Sequence, residues 1–182
     1  MKWLGLSVLA AALLCGPANA SVLIIGEGLA PACSKAAFAG RLDRSSIDLC
    51  SRALTEEGLS RRDRAGTLVN RGVIRMRGKA YPSALRDFDE AIRIQPNLGE
   101  AFVNRGVLRM AGRDYQTAFS EIDRGIAMGV DEPAKAYYNR ALALEGLGDA
   151  RGAWSDYRRA QTLAPDWDAP ARQLTRFQAR VP

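Results

Sequence analysis

The chain has 182 residues, of which 47% are hydrophobic, so it is long enough to form one domain with a sizeable core. It contains no histidine, which excludes Ser-His-Asp and Cys-His nucleophilic sites and the H-E-x-x-H metalloprotease helix. The formal net charge of +6 is modest, and the arginines of the chain alternate with acids. We therefore expect solvated helix faces and no nucleic-acid partner. We also expect no metal and no cofactor.

Residues 1–20 have the features of a secretory signal peptide. Lys2 precedes an apolar run over residues 3–14, and an A-x-A pattern over residues 18–20 marks a cleavage site. The apolar run is too short to cross a bilayer. Lipid attachment at Cys15 is disfavoured because a leucine precedes it. We therefore expect a periplasmic or secreted protein with no membrane insertion after the signal is removed.

Two cysteines, Cys33 and Cys50, follow the predicted signal. In an exported chain we expect them to form a disulfide. The pair encloses 50 − 33 = 17 residues, for which chain entropy predicts roughly 3 kcal/mol of stabilisation. A redox-active or metal-binding pair is the alternative, but the chain has neither C-x-x-C nor a histidine to support it.

Nine residues then recur almost unchanged three times. The copies read LVNRGVIRM from Leu68, FVNRGVLRM from Phe102 and YYNRALALE from Tyr137, at intervals of 102 − 68 = 34 and 137 − 102 = 35 residues. A catalytic motif needs only one copy, because one set of reacting groups suffices. Even spacing over this period is typical of a structural unit of two helices that stacks on itself.

Small and large residues also recur at helical spacing after each copy, and prolines close the first and third units. These marks are Ala84, Phe88, Ala91 and Pro96, then Ala118, Ile122 and Gly125, then Ala153, Tyr157, Ala160 and Pro165. The pattern resembles the tetratricopeptide repeat (TPR), whose period is 34 residues. The resemblance implies an all-α, right-handed α-solenoid of stacked helix hairpins, with repeats over 65–98, 99–133 and 134–167.

The flanking segments are interpreted as the ends of this stack. Residues 21–64 contain a degenerate helix pair over 31–39 and 45–54, which the disulfide would join. Residues 168–182 are predicted to form a capping helix with a polar outer side, as a solenoid needs for solubility. We therefore expect about nine helices.

The repeats depart from the family pattern at two places. The place usually taken by leucine holds arginine in every repeat, at Arg71, Arg105 and Arg140. The place usually taken by tyrosine holds arginine in the first two, at Arg75 and Arg109. Matched acids recur in the second helices, at Asp87, Glu121 and Asp156. We predict that Arg71, Arg105 and Arg140 each pair with the acid of their own repeat.

The first helix of each pair is expected to line the concave face of the stack. Helical spacing aligns three asparagines there, Asn70, Asn104 and Asn139. An asparagine amide offers an acceptor and two donors, so a row of them can bind the backbone of an extended peptide. The alternative is that the asparagines only support repeat packing. The candidate groove residues are Val69, Asn70, Val73, Arg77, Val103, Asn104, Val107, Met110, Tyr138, Asn139 and Leu142.

These features favour a protein–protein interaction module or scaffold, not an enzyme, with a peptide or protein segment bound in the groove. Weak self-association is a further expectation. Two alternatives stay open. One is an accessory or enzyme of envelope polysaccharide metabolism that acts through carboxylates. The other is a self-assembling structural protein whose repeat ends stack between chains.

Overall fold

The computed structural model describes residues 28–178, which form nine α-helices and no strand in that part of the chain. The predicted signal peptide and the last four residues lie outside the described residues. In chain order the helices are α1 (Leu29–Phe38), α2 (Arg44–Glu56), α3 (Arg61–Arg77), α4 (Tyr81–Ile94), α5 (Gly99–Ala111), α6 (Tyr115–Met128), α7 (Pro133–Leu147), α8 (Ala150–Leu163) and α9 (Asp168–Gln178).

The helices pack as successive antiparallel pairs. Helices α3 and α4, α5 and α6, and α7 and α8 form the three repeats, α1 pairs with α2, and α9 packs on α8. The first helices α1, α3, α5 and α7 contact one another in order, whereas the second helices share no comparable contact. The first helices therefore form the narrow inner side of the stack. The predicted all-α solenoid of helix hairpins is confirmed.

Local sequence signals explain where the helices begin and end. The side chains of Asp43, Ser60, Asp114 and Asp149 each accept a hydrogen bond from the backbone N–H three residues later, at the start of a helix. Helices α4 and α8 end two residues before a proline, which has no N–H to continue the helix. Each repeat is thus a helix, a tight turn and a second helix.

Glycine sets the distance between the two helices of the first two repeats. A Cβ on Gly72 would lie 2.5 Å from the ring of Phe88, and one on Gly106 would lie 2.7 Å from the side chain of Ile122. The larger side chain of each pair is fully buried. Since any side chain at the glycine would collide with it, the two helices pack closely only because these positions carry no Cβ.

A disulfide joins α1 to α2 at the N-terminal end. The sulfurs of Cys33 and Cys50 are bonded, and both residues are fully buried. They pack with Ile74 of α3 in one small hydrophobic cluster. This cluster therefore extends from the N-terminal helix pair into the first repeat. The bond therefore connects a short helix of only ten residues to the rest of the stack.

Aromatic packing closes the C-terminal end. The ring of Tyr138 lies 5.3 Å from that of Tyr157 and 4.9 Å from that of Trp167, between centroids. Tyr157 is fully buried and donates a hydrogen bond of 2.5 Å to Glu145. Burial, followed by this hydrogen bond, raises the pKa of Tyr157 above its ordinary value. Phe177 of α9 covers the cluster from outside.

Candidate binding groove

A hollow of about 580 Å³ opens on the inner side of the stack, where the N-terminal ends of α1, α3 and α5 meet. Helix α1 forms one wall, α3 forms the floor, and the start of α5 with the loop before α7 forms the other wall. We call this hollow and its mouth the groove. Its central lining residues are Ala30, Ser34, Gly66, Asn70, Glu100 and Asp131.

Phe38 lies on the same side of α1 as the groove lining, one turn beyond Ser34. It follows Ala30 and Ser34 at four-residue intervals, so the three residues share one face of α1. Its side chain is 82% exposed, and Nζ of Lys135 on α7 lies 5.6 Å from the ring centroid. The short N-terminal helix thus reaches across to the third repeat. Sequence analysis missed Phe38, although an apolar residue in register with small groove-facing residues is a usable signal.

Acidic side chains outnumber basic ones in the lining of the hollow. The hollow is lined by one basic residue and four acids, namely Arg62, Glu57, Asp63, Glu100 and Asp131.

Backbone groups account for two of these acids. Glu57 accepts hydrogen bonds from the backbone N–H groups of Leu29 and Ala30, at 2.5 and 3.0 Å. Glu100 accepts one from the backbone N–H of Asp131, at 3.0 Å. Carboxylates at the N-terminal ends of helices compensate unpaired N–H groups. The acids therefore fix the shape of the groove and give its lining an excess of negative charge.

The three asparagines of the predicted row have different surroundings, although all are half-buried. Asn70 lines the hollow. Asn104 donates a hydrogen bond of 2.8 Å to the backbone carbonyl of Glu100, one turn earlier in its own helix. Asn139 lies one turn beyond Lys135. Within residues 28–178 the side chains of Asn70 and Asn139 form no hydrogen bond, so these two amides are available to a ligand.

Several apolar residues expected in the groove also pack in the core. Val69 and Val103 are only 6% and 8% exposed and lie in clusters that hold the helices together. Val69 nevertheless lines the hollow, and contact of either residue with a partner stays a prediction. Val73, Met110 and Leu142 are half-buried and pack against the same kind of cluster. Val107 is also half-buried.

Tyr138 and Arg77 are also engaged within the protein. Tyr138 contacts the aromatic rings under the capping helix and accepts a hydrogen bond of 3.1 Å from Gln173, so it packs at the end of the stack, and its groove role stays a prediction. Arg77 donates a hydrogen bond of 2.6 Å to the backbone carbonyl of Ala37. That bond holds the end of α1, next to Phe38, against α3.

The predicted ion pairs within the repeats are confirmed. Arg71 binds both carboxylate oxygens of Asp87 at 2.8 and 3.2 Å, and Arg105 binds both oxygens of Glu121 at 3.0 and 3.1 Å. In the third repeat Arg140 binds both oxygens of its acid, Asp156, at 2.7 and 2.8 Å. Two parallel N–H···O bonds fix the direction of the guanidinium as well as its distance.

Each of these arginines also reaches the preceding hairpin, which the sequence analysis did not predict. Arg105 donates to Asp89 at 2.7 Å and Arg140 donates to Asp123 at 2.5 Å. Arg71 likewise donates to the hydroxyl of Ser51 on α2, at 3.0 Å. We call this set of contacts the arginine ladder. Its sequence signal was the recurrence of Asp89 at Asp123, 123 − 89 = 34 residues later.

The ladder favours the charged forms of Arg105 and Arg140. In Arg105, partial burial opposes the charge, but hydrogen bonds to Asp89 and Glu121 outweigh it and hold the pKa above its ordinary value. In Arg140, the hydrogen bond to Asp156 is the largest of the effects that raise the pKa. Both guanidinium groups therefore remain charged within the ladder.

Two general features of the described chain bear on function. No helix within residues 28–178 is long and apolar enough to cross a membrane. Over the same residues, no cluster of three or more His, Cys, Asp or Glu side chains has the arrangement to hold a metal ion.

Several solved structures are similar to this fold. The TPR domain of Arabidopsis OM64 is 20% identical with a TM-score of 0.61, covering 67% of this chain and 100% of that one. The first TPR domain of Spaghetti (RPAP3), bound to the HSP90 peptide SRMEEVD, is 21% identical with a TM-score of 0.59, covering 63% and 90%. MamA from Desulfovibrio magneticus RS-1, from residue 41 to its end, is 18% identical with a TM-score of 0.63, covering 85% and 86%.

No protein-family model matches the sequence, and no curated protein matches it. At identities near 20% the likeness to the solved structures establishes the fold, a TPR-like α-solenoid.

The ladder predicts an asymmetric response to mutation. Asp156→Ala leaves the guanidinium of Arg140 half-buried without its bidentate partner, so the free energy of unfolding should fall by about 2–3 kcal/mol. Adding Arg140→Leu, which supplies the residue usual at this place in the repeat, should restore at least half of the loss. Urea denaturation followed by circular dichroism measures both.

The matched control is Arg172→Ala, which removes an exposed ion pair with Asp168 and should change stability little. An equal loss in Asp156→Ala and Arg172→Ala would show that the ladder is no more important than a surface pair.

Proposed function

We propose that this protein is an exported interaction module that binds an extended segment of a peptide or protein in the groove. The observation that carries the proposal is the hollow itself, which is lined by a half-buried asparagine amide without an internal partner, Asn70. An exposed aromatic side chain, Phe38, lies on α1 one turn beyond the lining residue Ser34. The mechanism is noncovalent, and no group of the protein changes chemically.

Preformed walls make this binding favourable. The helices that form the groove are fixed by core packing and by the ladder, so most of the ordering cost falls on the ligand alone. The amide of Asn70 can pair with the backbone of the ligand regardless of its side chains. The ring of Phe38 gives an exposed apolar anchor on α1 beside the hollow.

The charge of the lining favours a neutral or basic segment. Four carboxylates and one guanidinium line the hollow, and a segment rich in acids would meet repulsion from them. RPAP3 binds the acidic peptide SRMEEVD, so a likeness in fold need not extend to the charge of the ligand. The ligand proposed for this chain is neutral or basic, whereas that peptide is acidic.

Export is the second part of the proposal. The signal-like segment over residues 1–20 and the buried Cys33–Cys50 disulfide both support a periplasmic or secreted location. N-terminal sequencing of the protein from the producing cells should give a chain that begins at Ser21. Recovery of the chain from the cytosol with Met1 still present would contradict export without affecting the groove.

The groove can be tested with peptides. Peptides selected from a random display library on the protein and counter-selected on the Phe38→Ala, Asn70→Ala double variant should be neutral or basic, and that double variant should weaken their binding at least about tenfold, as loss of an anchor and an amide contact predicts. Isothermal titration calorimetry gives the dissociation constants.

The control is Trp154→Ala, which removes an exposed aromatic side chain from α8, a second helix of the stack. If the original protein, the Phe38→Ala, Asn70→Ala variant and Trp154→Ala all bound the peptides equally, the peptides would lie outside the groove. Sedimentation velocity at rising concentration tests the self-assembly alternative, since an open-ended stack would grow with concentration.

A further inference from the structure

Arginine replaces the usual leucine or tyrosine at several places in the repeats. Among these arginines, only Arg109 has no acid partner within the described residues. Its counterpart in the first repeat, Arg75, donates to Asp87 at 2.7 Å. In the second repeat the corresponding acid is Glu121, but one of its carboxylate oxygens accepts a hydrogen bond from Arg105 and the other lies 3.0 Å from Nη2 of the same guanidinium. The guanidinium of Arg109 therefore has no carboxylate to pair with once Arg105 has paired with Glu121.

The surroundings of Arg109 do not satisfy its hydrogen-bonding groups. Its Nε is buried and has no hydrogen-bond partner among residues 28–178. A buried, charged donor without an acceptor is rare in folded proteins, so such a group calls for an explanation. The fold itself does not require a cation here, because the third repeat carries Leu144 at the same place, 144 − 109 = 35 residues later.

Arg109 lies beside a mainly apolar surface hollow of about 470 Å³ between the first and second repeats. Tyr81, Pro82 and Leu85 at the start of α4 form one side, and the end of α5 forms the other. Tyr81 is 40% exposed. This hollow is at the opposite ends of the helices from the groove, whose lining comes from the starts of α3 and α5. The two surfaces are thus separate.

One acid, Asp114, lies on the rim of the hollow. Its carboxylate is the cap of α6 and accepts a hydrogen bond of 3.3 Å from the backbone N–H of Thr117. Its distance from the guanidinium of Arg109 exceeds that of a salt bridge, since none joins the two residues. It therefore leaves the charge of Arg109 unmatched.

We propose that this hollow is a second docking site, which binds a segment of a partner protein carrying one carboxylate next to an aliphatic or aromatic side chain. The guanidinium pairs with the carboxylate through two parallel N–H···O bonds, a geometry that carboxylates match and that lysine would not provide. The apolar side chain enters the hollow against Tyr81 and Leu85. Arginine beside an exposed aromatic residue is typical of the residues that dominate binding at protein interfaces.

The site is tested with a random heptapeptide display library selected on the full chain and counter-selected on Arg109→Leu. The surviving peptides should contain Asp or Glu next to Leu, Ile, Val, Phe or Tyr. Their dissociation constants should rise at least about tenfold with Arg109→Leu, with Arg109→Gln and with replacement of the peptide acid by its amide, and the protein and peptide changes should not add. Tyr81→Ala should weaken the same peptides.

The matched control is Arg151→Leu, which removes an exposed arginine that has no ion pair among the described residues and the same unit of charge. Binding to it should be unchanged. Because Leu144 shows that leucine fits this place, the melting temperature of Arg109→Leu should equal or exceed that of the original protein.

Three results would overturn the site. They are surviving peptides without acids, equal weakening by Arg109→Leu and Arg151→Leu, and self-association that Arg109→Leu abolishes, which would assign the hollow to a second copy of the chain. Each differs from failure of the groove, because Phe38→Ala with Asn70→Ala should leave these peptides bound.

Discussion

The arginine ladder is the constraint on which the shape of this protein depends. Each ladder arginine binds the acid of its own second helix and, at the same time, an acceptor on the second helix of the hairpin before it. A partly buried ion pair adds little net stability, because desolvation offsets much of the attraction, but it strongly favours one geometry. In a solenoid the rotation between neighbouring units sets the curvature of the whole stack. By setting the rotation between hairpins, the ladder therefore determines the shape of the groove without lining it.

The two ends of the stack show what happens where the ladder stops. At the N-terminal end the acid is replaced by Ser51, and the disulfide takes over part of the connection between helices. At the C-terminal end the places of the ladder acid and arginine hold Arg158 and Leu174, and Leu174 packs with buried aromatic rings instead. The end where the ladder gives way to apolar packing carries the cap, and the end with the short helix α1 carries one wall of the groove, held by Arg77.

The repeated features of the sequence predicted the fold and the ion pairs within repeats, because each recurs three times and repetition separates signal from chance. The degree of burial within the candidate site could not be predicted. Helical spacing placed Val69 and Val73 on the inner side of α3, but it cannot show that core packing buries Val69 and leaves Val73 half-exposed. The position of α1 depends on single contacts, such as the hydrogen bond from Arg77 of α3 to Ala37, and nothing repeats to reveal them.

The most direct test of the ladder is a crystal structure of the variant in which Arg105 and Arg140 are replaced by leucine and their acids Glu121 and Asp156 by alanine, so that no buried charge is left without its partner. Leucine is usual at this place in the repeat, so the variant should fold as nine helices over the described residues. The account predicts a changed rotation between successive hairpins, with the distance between Phe38 and Lys135 altered by several ångströms. A structure that keeps every inter-hairpin angle and that distance would contradict it, because core packing alone would then define the groove.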